Sequence, residues 1–158
     1  MLPKLKSFQQ ISQIVSRLKR SHKKIVFTNG CFDILHVGHV RLLKKAKSLG
    51  DILVVGLNRD ASVKGLKGSG RPVTREMERA EVLCALAVVD YVVFFKEPTP
   101  ENLIHRVRPD FLVKGGDWRK KDIVGAAFVE SYGGRVVPLK FNKGYSTTKL
   151  IERIKKTT

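Results

Sequence analysis

Five short apolar runs, each followed by a loop and then by a helical pattern, constrain the fold of this chain more than any other feature. Because the runs are continuous rather than alternating, they predict strands buried on both faces, as in a parallel sheet between helices. Right-handed crossovers then limit the topology to a doubly wound α/β domain, with a five-stranded parallel sheet and helices on both faces. The predicted strands are 24–28, 52–57, 91–95, 111–113 and 135–139.

The segments between these strands predict helices, with one exception. Residues 58–72 combine glycines with basic side chains and predict a mobile cationic loop. In a parallel α/β sheet the ligand binds beyond the carboxyl ends of the strands, where this loop would lie. Helices are predicted at about 38–49, 74–87, 123–132 and 147–154, with a shorter one ending near residue 108.

The first part of the chain differs from the rest in charge. Apolar residues recur at helical spacing from Phe8 to Leu18, and the first 24 residues hold seven Lys and Arg and no acidic residue. The pattern predicts a basic amphipathic helix that packs against a body beginning later. We therefore divide the chain into residues 1–23, the basic helix, and residues 24–158, the α/β domain that carries the functional loops.

Composition narrows the class of protein. The 158 residues include 31 Lys and Arg against 14 Asp and Glu, a net charge of +17 that favours anionic partners, either nucleic acid or phosphorylated small molecules. The longest apolar run is too short to span a bilayer, and the amino terminus has no apolar leader, so we expect a cytoplasmic protein. Cys31 and Cys84 are far apart and are expected to be reduced thiols.

Two histidines follow the first predicted strand and stand three residues apart. His36 and His39 can face one ligand at the start of the next helix, where backbone N–H groups attract phosphate. Gly38 between them would let a nucleobase or ribose approach the backbone. The pattern predicts a nucleotide site. Helix capping is the alternative for a single histidine, and zinc is disfavoured because no third ligand stands at a suitable spacing.

This His-x-Gly-His frame resembles the signature of the cytidylyltransferase-like nucleotidyltransferases, which join a nucleoside triphosphate to a phosphorylated substrate and release pyrophosphate. Within that superfamily, residues 24 to about 156 are most similar to the heptose 1-phosphate adenylyltransferases. Four separate blocks carry the similarity: 28–33 (TNGCFD), 67–68 with 71–73 (KG and RPV), 113–118 (VKGGDW) and 144–148 (GYSTT).

The resemblance implies a Rossmann-like enzyme that transfers AMP from ATP to D-glycero-β-D-manno-heptose 1-phosphate, giving ADP-heptose and pyrophosphate for lipopolysaccharide core synthesis. It implies Mg²⁺ bound mainly through the nucleotide phosphates, without a metal site on the protein. It also implies a homodimer with no nucleic-acid or membrane partner. The heptose 7-phosphate kinase and the phosphatase of the pathway are expected on separate polypeptides.

The predicted catalytic residues are the two histidines, one lysine and two hydroxyl residues. Lys67 of the basic loop would stabilise charge on the α-phosphate and the leaving pyrophosphate after loop closure. The hydroxyl residues precede the last predicted helix, where simple capping is the alternative. The resemblance supports contact with the β- and γ-phosphates. The set is His36, His39, Lys67, Ser146 and Thr147.

Two binding sets complete the predicted site. The resemblance gives Arg79 a role in nucleotide binding, although a surface ion pair with Glu76 or Glu78 would also explain it. Trp118 would line the pocket, or else pack within its loop. Cys31 is left out because a hydroxyl residue often stands there in related cytidylyltransferases. The nucleotide set is Asn29, Gly30, Phe32, Gly38, Arg79, Gly115 and Thr148; the sugar-phosphate set is Asp33, Arg71, Asp117 and Trp118.

Two other functions stay open on the sequence. An enzyme of the same fold that uses CTP and glycerol 3-phosphate would keep every phosphate-binding block. A non-enzymatic nucleic-acid binder would explain the net charge, but the chain has no basic helix with interleaved aromatic residues. The substrate preference therefore depends on the resemblance.

Overall fold

A computed structural model describes residues 2–68, 70–140 and 145–157 and contains a sheet of six parallel strands. The strands run in the order β1-β4-β3-β2-β5-β6. Their direction and the helices on both faces confirm the predicted doubly wound α/β fold. The strands are β1 (Leu5–Lys6), β2 (Ile25–Gly30), β3 (Ile52–Asn58), β4 (Tyr91–Phe95), β5 (Phe111–Gly115) and β6 (Arg135–Leu139).

Seven α-helices cover the sheet in the described part of the chain. Successive side chains of β2 point to opposite faces, so Phe27 enters one buried cluster and Val26 the other. The first cluster includes side chains of α1, α5 and α6, and the second includes side chains of α2 and α4. The helices are α1 (Phe8–Arg20), α2 (Val37–Lys47), α3 (Asp60–Lys67), α4 (Glu76–Ala85), α5 (Glu101–Val107), α6 (Ala126–Ser131) and α7 (Thr147–Thr157).

The sheet has one strand more than predicted. Strand β1 is only two residues long and pairs with β4, with Leu5 opposite Val92. Two residues are too few to show a periodic pattern, which is why five strands were predicted. Helix α1 follows directly and buries Ile11 and Val15 in the same cluster as Phe27, so packing is continuous across residue 24 although the charge changes there.

The predicted loop 58–72 is wrong over its first half, which forms helix α3. Val63 is fully buried, and the Ser62 hydroxyl accepts a 3.0 Å hydrogen bond from Asn58 Nδ2. The packing of this apolar side offsets the roughly 1 kcal/mol that a helical glycine costs relative to alanine. Only the segment from Gly68 to the start of α4 is a connection, and Ser69 within it lies outside the described residues.

The predicted helix 123–132 is also corrected. A short 3-10 turn occupies Lys120–Asp122, and α6 begins only at Ala126. Gly125, just before α6, has a left-handed φ of 82°, which interrupts the helical pattern. The buried Ile123 and the exposed Val124 therefore belong to an irregular segment that lines a cavity near the carboxyl ends of the strands.

Strands β2 and β5 are neighbours at the centre of the sheet. The chain proceeds from β2 towards β3 on one side, and from β5 towards β6 on the other. Such a change of direction opens a crevice at the carboxyl ends of the two strands. The fold thus brings together the loops that follow β2 and β5.

Candidate nucleotide-binding site

A cavity of about 550 Å³ lies at the carboxyl edge of the sheet. It is lined by the ends of β2, β3 and β5, the end of α3, the loop after β4 and the start of α7. This volume is within the usual range for small-molecule sites. The polar and charged side chains of the lining are Asn29, Cys31, Asp33, His39, Asn58, Lys67, Thr99, Lys114, Asp122 and Thr147.

The turn from β2 into α2 holds an unusual backbone conformation. Phe32 and Ile34 have left-handed φ values of 46° and 50°, which are uncommon for residues with side chains and are held by the surrounding packing. The Phe32 ring is buried and lies against Gly30, where a Cβ atom would come within 3.1 Å of Phe32 Cε2. The turn therefore carries the chain directly from the strand to the histidines.

His36 and His39 pack against each other at the start of α2. Their rings are stacked, with centroids 3.9 Å apart. The Gly38 N–H donates to His36 Nδ1 at 3.2 Å, and the His36 N–H donates to His39 Nδ1 at 3.3 Å. Because each Nδ1 accepts a hydrogen bond, the proton of each neutral ring is on Nε2. Both Nε2–H groups are therefore donors for a ligand.

The surroundings keep both rings neutral. Burial lowers the pKa of His36 below its usual value. Burial lowers the pKa of His39 to about 4, with added repulsion from the His36 ring when it is protonated and from the Lys67 ammonium, against a smaller opposing effect of Asp33. Near neutral pH the pair supplies hydrogen-bond donors without a net charge.

Gly38 is required by close packing around the histidines. A Cβ atom there would lie 3.0 Å from the His36 ring and 3.1 Å from Tyr145 Cβ. Both distances are shorter than ordinary van der Waals contacts, so a larger residue would displace the ring or the segment before α7. The approach of a nucleobase to this glycine stays a prediction.

Asp33 holds the segment after α3 in place. Its carboxylate is 1% exposed and accepts hydrogen bonds from the Val73 and Thr74 amides, the Thr74 hydroxyl and Arg71 Nε, the last at 2.7 Å. Burial alone would raise the pKa of Asp33, but these hydrogen bonds lower it below the usual value. The predicted sugar-phosphate residues Asp33 and Arg71 are thus bonded to each other.

The start of α7 closes the cavity beside Asp33. The Thr147 hydroxyl donates to the Asp33 carbonyl at 2.9 Å and is buried. Ser146 Oγ accepts a hydrogen bond from the Lys149 amide, as a helix cap does, and Thr148 is exposed. Gly144, from the fourth sequence block, lies outside the described residues.

Comparisons with known proteins identify this arrangement. The sequence profile of the cytidylyltransferase-like family matches residues 27–153, which include the cavity and both histidines. The chain belongs to the cytidylyltransferase-like family. This result confirms the family expected from the His-x-Gly-His frame.

Related sequences and structures agree with the assignment to the cytidylyltransferase-like family. The chain is 55% identical over 151 residues to bifunctional protein HldE of Geobacter metallireducens, and 52% identical over 147 residues to that of Helicobacter pylori. These alignments cover 96% and 93% of this chain but 31% of either relative, so the chain spans about a third of their length.

Solved structures share the fold. The lipopolysaccharide core biosynthesis protein from Thermoplasma volcanium is 28% identical, with a TM-score of 0.64 over 78% of this chain and 99% of that one. Pantoate-beta-alanine ligase from Francisella tularensis is 16% identical, with a TM-score of 0.62 over 96% of this chain and 76% of that one, and shows likeness of fold alone.

Arg79 is buried, and its guanidinium joins several loops at the edge of the cavity. Its side chain is 1% exposed, and its guanidinium donates to the carbonyls of Cys31, Asn58 and Thr74 and pairs with Asp60 at 2.7 Å. The alternative of a surface ion pair with Glu76 or Glu78 is therefore wrong. Arg79 ties the ends of β2 and β3 to the segment before α4, and its role toward the nucleotide stays a prediction.

Trp118 and Gly115 line the cavity, whereas Asp117 does not. The Trp118 indole is 46% exposed, so packing within its loop leaves much of the ring available. Asp117 is exposed and lies outside the lining. The structure thus brings the indole, but not this carboxylate, to the predicted sugar side.

The sequence analysis missed several residues that line the cavity, among them Lys114. Lys114 is the next-to-last residue of β5, with its Nζ 3.3 Å from Asn29 Oδ1 and 5.7 Å from the centroid of the Trp118 ring. It stands inside the VKGGDW block, and its position at a strand end in front of two glycines was the available signal. The predicted glycine loop placed the site at Gly115, Asp117 and Trp118, which follow the lysine.

Metal ligands are not clustered in the described ranges. No group of three or more His, Cys, Asp and Glu side chains there could hold an ion. No helix in residues 2–68, 70–140 and 145–157 is long and apolar enough to cross a membrane.

Proposed function

We propose that this chain transfers the adenylyl group of ATP to D-glycero-β-D-manno-heptose 1-phosphate, giving ADP-heptose and pyrophosphate. The observation that carries the proposal is the stacked, neutral pair of His36 and His39 at the start of α2, beside a cavity that contains Lys67 and Lys114. Neutral donors combined with separate cations suit a polyphosphate whose charge shifts during reaction.

The choice of a heptose depends on sequence similarity. Four blocks of this chain resemble the heptose 1-phosphate adenylyltransferases, and the HldE proteins are more than half identical to it over nearly its whole length. The Thermoplasma volcanium relative is named for lipopolysaccharide core biosynthesis. A role of this chain in lipopolysaccharide core synthesis is part of the same proposal.

The reaction requires no protein nucleophile. An oxygen of the sugar phosphate forms a bond to the α-phosphorus of ATP, while the bond to the bridging oxygen breaks and its electron pair leaves with pyrophosphate. A phosphate dianion needs no deprotonation near neutral pH, so catalysis depends on positioning and charge stabilisation. The Nε2–H groups of both histidines would donate to phosphate oxygens throughout.

The start of α7 would hold the end of the triphosphate. The Thr147 hydroxyl already donates its proton to Asp33, so Thr147 would contribute through its backbone N–H. The Ser146 hydroxyl only accepts a bond from the Lys149 amide, so its proton is available to a phosphate oxygen. The exposed Thr148 hydroxyl is available for a direct contact. The predicted phosphate contact of the Thr147 hydroxyl is therefore replaced by a contact from its backbone N–H.

Magnesium would enter the site with the nucleotide. Among the described carboxylates of the cavity, Asp33 is bonded to Arg71, and Asp122 pairs with Arg119 at 2.6 Å. Mg²⁺ usually keeps several waters and binds substrate phosphates, so the MgATP complex is the substrate.

Pyrophosphate release across a panel of nucleotides and sugar phosphates tests the proposal. We expect the highest kcat/KM with MgATP and the heptose 1-phosphate. Equal or better efficiency with CTP and glycerol 3-phosphate would instead assign the chain to the cytidylyltransferase branch.

A homodimer, a cytoplasmic location and separate kinase and phosphatase polypeptides stay predictions from the resemblance.

A further inference from the structure

Lys114 occupies the crevice where the sheet changes direction. It extends from the end of β5, and its ammonium bonds to Asn29 at the end of β2, so the two groups bridge the crevice. The Trp118 ring lies 5.7 Å away on the same side of the cavity. A ligand entering the crevice would therefore meet the ammonium and the indole together.

The Lys114 ammonium has no acidic partner in the structure. No carboxylate lies within 4.0 Å of its Nζ among residues 2–68, 70–140 and 145–157, since Asp33 and Asp122 are taken by Arg71 and Arg119. Burial lowers the pKa of Lys114, in accord with an enclosed position. Enclosed charges in proteins are normally paired, so this half-buried ammonium is available to an anionic ligand.

Lys67 lies on the opposite side of the histidines. Lys67 ends α3, which follows β3, whereas Lys114 lies in the last two residues of β5, and β2 lies between these two strands. Lys67 and His39 line the same cavity, and the charge of Lys67 contributes to the lowered pKa of His39. The two lysines thus flank the cavity and can serve two different phosphates.

We propose that Lys114 binds the phosphate of the sugar-phosphate acceptor while Trp118 packs against the sugar ring. This inference deepens the proposed function and depends on it. The ammonium holds a non-attacking phosphate oxygen, which turns another oxygen of the same group towards the α-phosphorus. The attacking oxygen forms the new P–O bond as pyrophosphate leaves, and no proton is transferred. Lys67 and the histidines serve the triphosphate.

Lys114→Gln tests the division between the two lysines. The variant removes the charge but keeps a polar group near Asn29. We expect the KM for the acceptor to rise at least tenfold while the KM for ATP stays within twofold. Lys114→Arg keeps the charge and should retain more acceptor affinity. Lys44→Gln, on the exposed side of α2, is the matched control for a lost positive charge.

Two kinetic outcomes would overturn the inference. An equal or larger rise in the KM for ATP would assign Lys114 to the nucleotide. Unchanged values for both substrates would remove it from the site. The KM for ATP also reports whether the Lys114→Gln variant is folded, because a misfolded cavity would not bind the nucleotide normally.

Fluorescence gives a test that does not need turnover. Trp118 is the single tryptophan of the chain, so its emission reports on the cavity beside Lys114. Mannose 1-phosphate should change this emission saturably in the wild type and in Lys44→Gln, and at least tenfold more weakly in Lys114→Gln. Equal titration curves for all three proteins would contradict the role of Lys114. If the wild type binds this probe but releases no pyrophosphate with heptose 1-phosphate, the proposed function fails and the anion site remains.

Discussion

At the scale of single residues, His39 is held in one protonation state and one orientation. The His36 amide fixes its Nδ1 as an acceptor, and burial keeps the ring neutral. A neutral ring in this position can donate from Nε2 without first gaining a proton. Under the proposed function, the imidazole is oriented to donate to a phosphate before the nucleotide binds.

We expect His39→Ala to lower kcat by about a hundredfold or more, since it removes a donor that acts mainly on the transition state. Steady-state kinetics and a thermal melt of the same preparation measure both effects. His105→Ala is the control, because His105 stacks on Phe128 away from the cavity and should leave kcat unchanged. A large loss of Tm with nearly normal turnover would instead give His39 a structural role.

Stability should depend on pH through the same residue. The pKa of His39 falls from 6.5 to about 4 on folding, so between these values the unfolded chain binds a proton that the folded chain does not. The free energy of unfolding should therefore fall as the pH is lowered through this window, by at most about 1.4 kcal/mol per pH unit from His39. Urea denaturation at several pH values measures the slope. His39→Gln should show a smaller slope, and an unchanged one would contradict the assignment.

The sequence predicted some single residues better than others. The histidines were found because their spacing and the glycine between them form one local pattern. Asp33 and Arg79 were harder to interpret, since their partners lie about 40 to 50 positions away for Asp33–Thr74 and Cys31–Arg79. Only the fold shows that both act by tying loops together.

At the scale of elements, α3 shows where local propensity misleads. Three glycines and several cations in 58–72 favour a loop. The Ser62 and Val63 side chains of α3 are nevertheless buried, and these tertiary contacts outweigh the low helix propensity of the glycines. Lys67 is therefore presented from the last turn of a formed helix. Its position does not require the closure of a long loop.

Two substitutions in α3 should separate the lysine from the flexibility of its helix. Lys67→Ala should lower kcat more than it raises the KM for ATP, because it removes charge stabilisation in the transition state. Gly65→Ala should raise the free energy of unfolding by up to about 1 kcal/mol, since no atom lies within 4 Å of the added Cβ, and should leave kcat within twofold. Urea denaturation and steady-state kinetics test both variants. A marked fall in kcat for Gly65→Ala would show that α3 must unfold during turnover.

At the scale of the whole molecule, the fold could be predicted because strands and helices alternate along nearly the entire chain. Continuous apolar strands such as β3 allow few arrangements other than a covered parallel sheet. Strand β1 escaped prediction because its two residues gain their strand conformation from β4, far away in sequence. The strand conformation of the amino-terminal segment therefore depends on its pairing with β4 and cannot be predicted from local sequence.

Ile11→Ala tests how far that segment stabilises the molecule. Ile11 is fully buried, and its truncation should lower the free energy of unfolding by about 2 to 5 kcal/mol. Gln13→Ala, on the exposed side of the same helix, is the control. Urea denaturation compares the two variants. Equal stability of both would mean that α1 is only loosely attached.

The pairing of β1 with β4 also sets an order of assembly. Leu5 leaves the ribosome before its neighbour Val92, which follows only after β2, β3 and the helices between them. Closing this longer segment costs somewhat more entropy than closing the segment between β2 and β3, which favours the nearer pairing first. We therefore expect β1, although it precedes the other strands in the chain, to join the sheet late.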